Sequence, residues 1–114
     1  MPAVREGDRL LAIDRKLFRD DNTRIFVGVV EECEEGVIRA RGFAYHISPY
    51  EVAGNERHGE ERVRLVSLTA GDMLYLLPRE IDIRTLQLRR SPKALILTDS
   101  KDLMMDLTEW LVRA

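Results

Sequence analysis

The stretch RIFVGVVEECEEGVIRARGFAYHI, Arg24 to Ile47, constrains the fold of this chain more than any other. Two runs rich in β-branched and aromatic residues flank Glu34-Glu35-Gly36, the pattern of a β-hairpin with glycine in its turn. With these three residues as the loop and Gly36 in the left-handed position, Cys33 lies opposite Val37 and Glu31 opposite Arg39. The same register sets Val30 against Ala40, Glu32 against Ile38 and Gly28 against Gly42. Glu32 suits a place beside Ile38 only if that end of the hairpin is exposed. Two facing glycines remove side chains at one level of the ladder, so both strands can bend sharply there, as a small barrel requires.

The remaining segments extend this β pattern. Phe43 to Ile47 continues the second strand until Ser48-Pro49, since proline lacks the amide hydrogen a ladder needs. Glu51 to Glu61, EVAGNERHGEE, reads as a long polar loop. Strands are expected at Arg62 to Thr69, Met73 to Leu77 and Ile83 to Leu88, separated by Ala70-Gly71-Asp72 and Pro78-Arg79-Glu80. Ahead of the hairpin, Leu10, Ile13 and Leu17 recur at helical spacing with Asp8 as an N-cap, which predicts a short helix from Asp8 to about Ile13. Arg15 to Arg19 then pairs with the strand from Ile25, and Asp20-Asp21-Asn22-Thr23 closes that turn. Near the C-terminus, KALILTD reads as a strand. Ser100 to Leu111 places Leu103, Met104, Leu107 and Leu111 on one helical face, and the first expectation is a helix. The alternative is a strand, LMMDLT, hairpinned on ALILT through DSKD. Trp110 and Leu111, large and apolar, are expected to pack.

At 114 residues with 45% hydrophobic content the chain suits one domain with its own core. A formal net charge of -2 gives no general attraction to a polyanion. The one cysteine, Cys33, cannot form an internal disulfide, and MPAVREGDRL is no apolar leader, so a cytoplasmic location is expected. No run approaches the roughly 20 apolar residues that cross a bilayer, and no membrane role is expected.

Phe26, Gly28, Val30, the acidic turn at Glu34 and the apolar run from Val37, together with the flanking elements, resemble the Sm and Sm-like family over about Gly7 to Arg90. The resemblance implies a mainly β fold: a small, strongly bent five-stranded barrel with a short N-terminal helix, here followed by a C-terminal extension over 91–114. It also implies ring-like homo-oligomers formed by edge-strand pairing. RNA-binding members are expected to offer an aspartate, a stacking residue and an asparagine after the second strand, and later an Arg-Gly pair. This chain departs from both motifs, with Glu34-Glu35-Gly36 followed by Val37-Ile38, and with Pro78-Arg79-Glu80. Paired carboxylates repel phosphate and donate no hydrogen bonds to bases.

The candidate nucleic-acid contacts are therefore Arg79 and the basic run Arg84, Arg89, Arg90 and Lys93, which a ring would repeat around one face. On its own, such a run is a solvated edge that discourages strand addition. Asp20-Asp21-Asn22 lacks the alternation of a calcium loop, and His46 and His58 make no zinc spacing with Cys33, so no metal and no cofactor are expected. Cys33 has no histidine partner in a nucleophile motif and reads as structural. No catalytic motif is present. The leading expectation is a non-enzymatic, self-associating binding or scaffolding domain. The alternatives are an RNA-binding regulator using a basic ring face, and a small enzyme or ligand-binding barrel with a site between subunits.

Overall fold

The computed structural model describes residues 3–15, 23–47, 54–56, 60–91 and 93–110, with the backbone alone at 54–56 and 110. Nine strands form two antiparallel sheets among them. The strands are β1 (Arg9–Ile13), β2 (Thr23–Glu34), β3 (Val37–Ile47), β4 (Gly54–Glu56), β5 (Arg62–Ser67), β6 (Met73–Leu77), β7 (Gln87–Ser91), β8 (Ala94–Thr98) and β9 (Met104–Asp106). The first sheet runs β5-β3-β2-β1-β6 and the second β4-β7-β8-β9. No described ladder joins β5 to β6, so the first sheet stays open and does not form a closed barrel.

Both faces of the first sheet are apolar. Leu11, Ile13, Ile25, Val27, Phe43 and Tyr45 face one cluster, while Leu10, Ala12, Phe26, Val30, Ile38 and Ala40 on the same three strands face another. The period of two along each strand thus runs through two cores. The larger cluster is closed by the second sheet and its flanking turns through Leu86, Leu88, Leu95, Leu97 and Leu107. The smaller lies against β5 through Val66, with Val4, Cys33, Ala44 and Leu74 at its margin.

This arrangement corrects the N-terminal helix. Leu10-Leu11-Ala12-Ile13 are all buried, and β1 sits centrally between β2 and β6. A strand buried on both faces is a continuous apolar run, which also satisfies helical spacing over so short a span. Ile13 pairs with Ile25, so this segment takes the partner expected for Arg15 to Arg19. Residues 16–22, including Asp20-Asp21-Asn22, lie outside the described set. Asp8 caps no helix; its carboxylate accepts from the Arg5 amide at 2.8 Å.

In the central hairpin Gly28 faces Gly42 and Val30 faces Ala40, as expected. The outer end differs by one residue: Glu34 pairs with Val37, Cys33 with Ile38 and Glu32 with Arg39, with a bulge between Val30 and Glu32. The turn is the two residues Glu35 and Gly36, with φ of 49° and 79°. The bulge at Glu31 resets the alternation, so that Cys33 rather than a charged Glu32 faces Ile38.

The C-terminal helix is also corrected in favour of the strand alternative. β9 pairs with β8, and Met104 is 74% exposed where a helical stripe would bury it beside Leu107. Asp99 fixes the intervening turn by accepting from the amides of Lys101 at 2.8 Å and Leu103 at 3.0 Å. These donors hold its carboxyl below the usual range. A single 3-10 turn, Thr108–Trp110, follows β9; the packing expected of Trp110 and Leu111 lies outside the described side chains. Ile83–Thr85 is likewise a 3-10 turn, capped by Asp82, and the strand expected there begins at Gln87. The expected loop from Glu51 to Glu61 contains β4, which pairs with β7. The C-terminal segment is therefore part of the fold, contributing two of the four strands of the second sheet.

Candidate functional site

β5 and β6 are the outer strands of the first sheet, and each has one side without a described ladder partner. They also carry unusual apolar exposure: Leu65 is 67% exposed and Leu76 52%, with Val63, Met73 and, in the turn after β5, Leu68 each at 40% or more. Edge strands in monomeric proteins are generally blunted by charge, proline or a covering segment. β5 does carry Arg62 and Arg64, but the Arg64 guanidinium turns inward. It lies 5.7 Å from the Phe26 ring centroid and pairs with Asp14 at 2.6 Å, covering the smaller core. Sequence reading missed these edges because RVRLVSLT and MLYLL look like buried strands, and only their places in the sheet reveal the exposed apolar side chains.

The acidic turn is exposed. Glu32, Glu34 and Glu35 line an open groove of about 530 Å³ with Val37, Arg39 and Leu65. Glu31, the bulge residue, instead pairs with Arg39 at 3.2 Å and with Arg41 at 3.1 Å.

The expected basic contacts are dispersed. Arg79, after β6, binds the Asp8 carboxylate and donates to the Glu6 carbonyl at 3.2 Å, tying the N-terminal segment to the end of β6. Gly7 permits this, with φ +88° and an Arg79 nitrogen 2.6 Å from where a Cβ would stand. The Arg5 amide, then Arg79, hold the Asp8 carboxyl below its ordinary range against the opposing effect of burial. Arg84 pairs with Asp82 at 3.1 Å, lowering that carboxyl and raising the guanidinium. Both border a second groove shared with Glu61 and Glu80. Arg89 donates to the Ser100 hydroxyl at 2.7 Å, whereas Arg90, the next residue on β7, points to the opposite face. Lys93 is exposed in the β7–β8 turn. Strand alternation thus separates residues that are contiguous in sequence.

Among the described residues no cluster of His, Cys, Asp or Glu is arranged to hold a metal ion. Cys33 is half-buried at the margin of the smaller core, and His46 is exposed on β3; His58 lies outside the described set. No described helix is long and apolar enough to cross a membrane. No protein-family model, curated protein or solved structure matches the chain.

Proposed function

We propose that this chain is a non-enzymatic, Sm-like scaffold that self-associates through the two open edges of its first sheet. The observation that carries the reading is the exposure of Leu65 on β5 and Leu76 on β6, at opposite ends of the sheet. Strand addition would satisfy the outward amides and carbonyls of both edges and remove these side chains from water. The five-stranded antiparallel sheet and its facing glycines are in keeping with the Sm-like resemblance of the sequence. Because β5 and β6 present different surfaces, joining one to the other is a heterologous contact, which yields a ring when the rotation closes.

The test is the mass of the full chain by light scattering after size exclusion, compared with Leu65→Lys and Leu76→Lys. A closed multiple of the protomer mass that falls in both variants is expected. A wild-type monomer at high micromolar concentration removes the proposal. Nucleic acid that co-purifies, and is lost only on changing Arg84, Arg89 or Lys93, would instead favour the RNA-binding alternative.

A further inference from the structure

The groove at the β2–β3 turn has a separate significance. Cross-strand register makes two rows across one face of the first sheet: Glu34, Val37 and Ser67, then Glu32, Arg39 and Leu65. This juxtaposes an apolar strip, formed by Val37 and Leu65, with Glu32 and Glu34, and the turn residue Glu35 lines the same groove. Among the described residues, Glu32, Glu34 and Glu35 make no ion pair, while Arg39 is engaged by Glu31 at 3.2 Å. The groove therefore combines uncompensated negative charge with apolar surface that water covers poorly.

We infer that this face docks a short extended protein segment in which basic and apolar side chains alternate. Apolar residues of the partner would cover Val37 and Leu65, and its lysines or arginines would meet the three carboxylates. Alternate residues of an extended chain project to the same side about 7 Å apart, whereas adjacent strands of the sheet lie about 5 Å apart. Long basic side chains can bridge that difference from a backbone laid over the apolar strip. The same charges oppose a nucleic-acid backbone, so complementarity selects a basic peptide. Docking uses the face of the sheet rather than the amides of its edge, but it shares Leu65 with the proposed edge contact, so a docked segment competes with self-association for that side chain.

Fluorescence anisotropy with the full chain tests this inference, using a labelled eight-residue peptide of alternating lysine and valine and a glutamate and valine counterpart. The basic peptide is expected to bind and to weaken with added salt, and the acidic one to fail. The E32Q/E34Q/E35Q variant should lose about tenfold in affinity, the sum of three exposed charge contacts. Arg39→Gln removes a positive charge from the groove lining and should tighten binding about threefold, providing an independent reading if the triple variant is poorly folded. Equal binding of the two peptides, unchanged affinity in both variants, or tighter binding of a single-stranded oligouridine overturns the inference. Light scattering on the same samples reports self-association separately, so failure of one reading does not mimic failure of the other.

Discussion

At Gly42 a Cβ would stand 1.9 Å from the Val27 carbonyl oxygen and 2.5 Å from the Gly28 Cα, so backbone occupies the space a side chain needs. Gly36 presents a different constraint: its φ is +79°, but nothing lies within 4 Å of a Cβ placed there. Gly42→Ala should therefore destabilise by about 3 kcal/mol or more through forced separation of β2 and β3. Gly36→Ala should cost only about 1 kcal/mol of left-handed strain. Urea midpoints at unchanged slope measure both. Tyr45 supplies a pH-dependent test. It is 1% exposed, and its hydroxyl donates to the Leu86 carbonyl at 3.3 Å. Burial raises its pKa from 10.0 to about 12. Because the folded value is raised, the contribution is complete below pH 10 and is lost as pH climbs toward 12, amounting to about 3 kcal/mol. Chemical denaturation across that interval should show the loss, and Tyr45→Phe should remove most of its slope.

The facing glycines meet as expected although the turn is one residue shorter than the expected loop, because the bulge at Glu31 restores the same pairing further along the hairpin. Elements of four or five residues are less legible. Leu10 to Ile13 fits one helical turn and a doubly buried strand equally well, and only the presence of β2 and β6 on either side decides. Met104, Leu107 and Leu111 obey a helical spacing, yet the Asp99 turn directs the segment back along β8. Replacing Asp99 by Ala should lower the urea midpoint by freeing two turn amides. The bulge at Glu31 was hidden because alternation holds on either side of it, differing only in parity. Deleting Glu31 would leave Val30 and Cys33 facing inward and Glu32 outward, making the ladder regular. Its exposed contacts with Arg39 and Arg41 are worth little, so the deletion should fold with stability within about 1 kcal/mol. Deleting Ala40 should instead bring an arginine into the place opposite Val30 and abolish the cooperative transition. Equal damage from the two deletions would show that the bulge is required for the bend itself.

In the whole molecule, the larger core joins residues from β1 through the segment after β9, so the second sheet completes the burial of the first. The same topology places β5 and β6 at the limits of the first sheet, a relation that no local pattern in either segment reveals. Candidate site residues were less legible for the same reason: Arg79 and Asp8 meet across 71 positions of sequence, while Arg89 and Arg90 diverge across one. If edge association stabilises the folded protomer, thermal stability must depend on concentration, because the associated state binds native copies and excludes unfolded ones. A tenfold rise in concentration shifts that balance by up to about 1.4 kcal/mol per protomer. For a chain of this length the midpoint should rise by up to roughly 6 °C. The combined Leu65→Lys and Leu76→Lys variant should show a midpoint independent of concentration, since both apolar edges then carry charge. Scanning calorimetry over two decades of concentration separates the cases: a flat wild-type midpoint would mean that the exposed leucines contribute nothing to association under those conditions, whereas a slope that persists in the double variant would place the contact elsewhere on the surface.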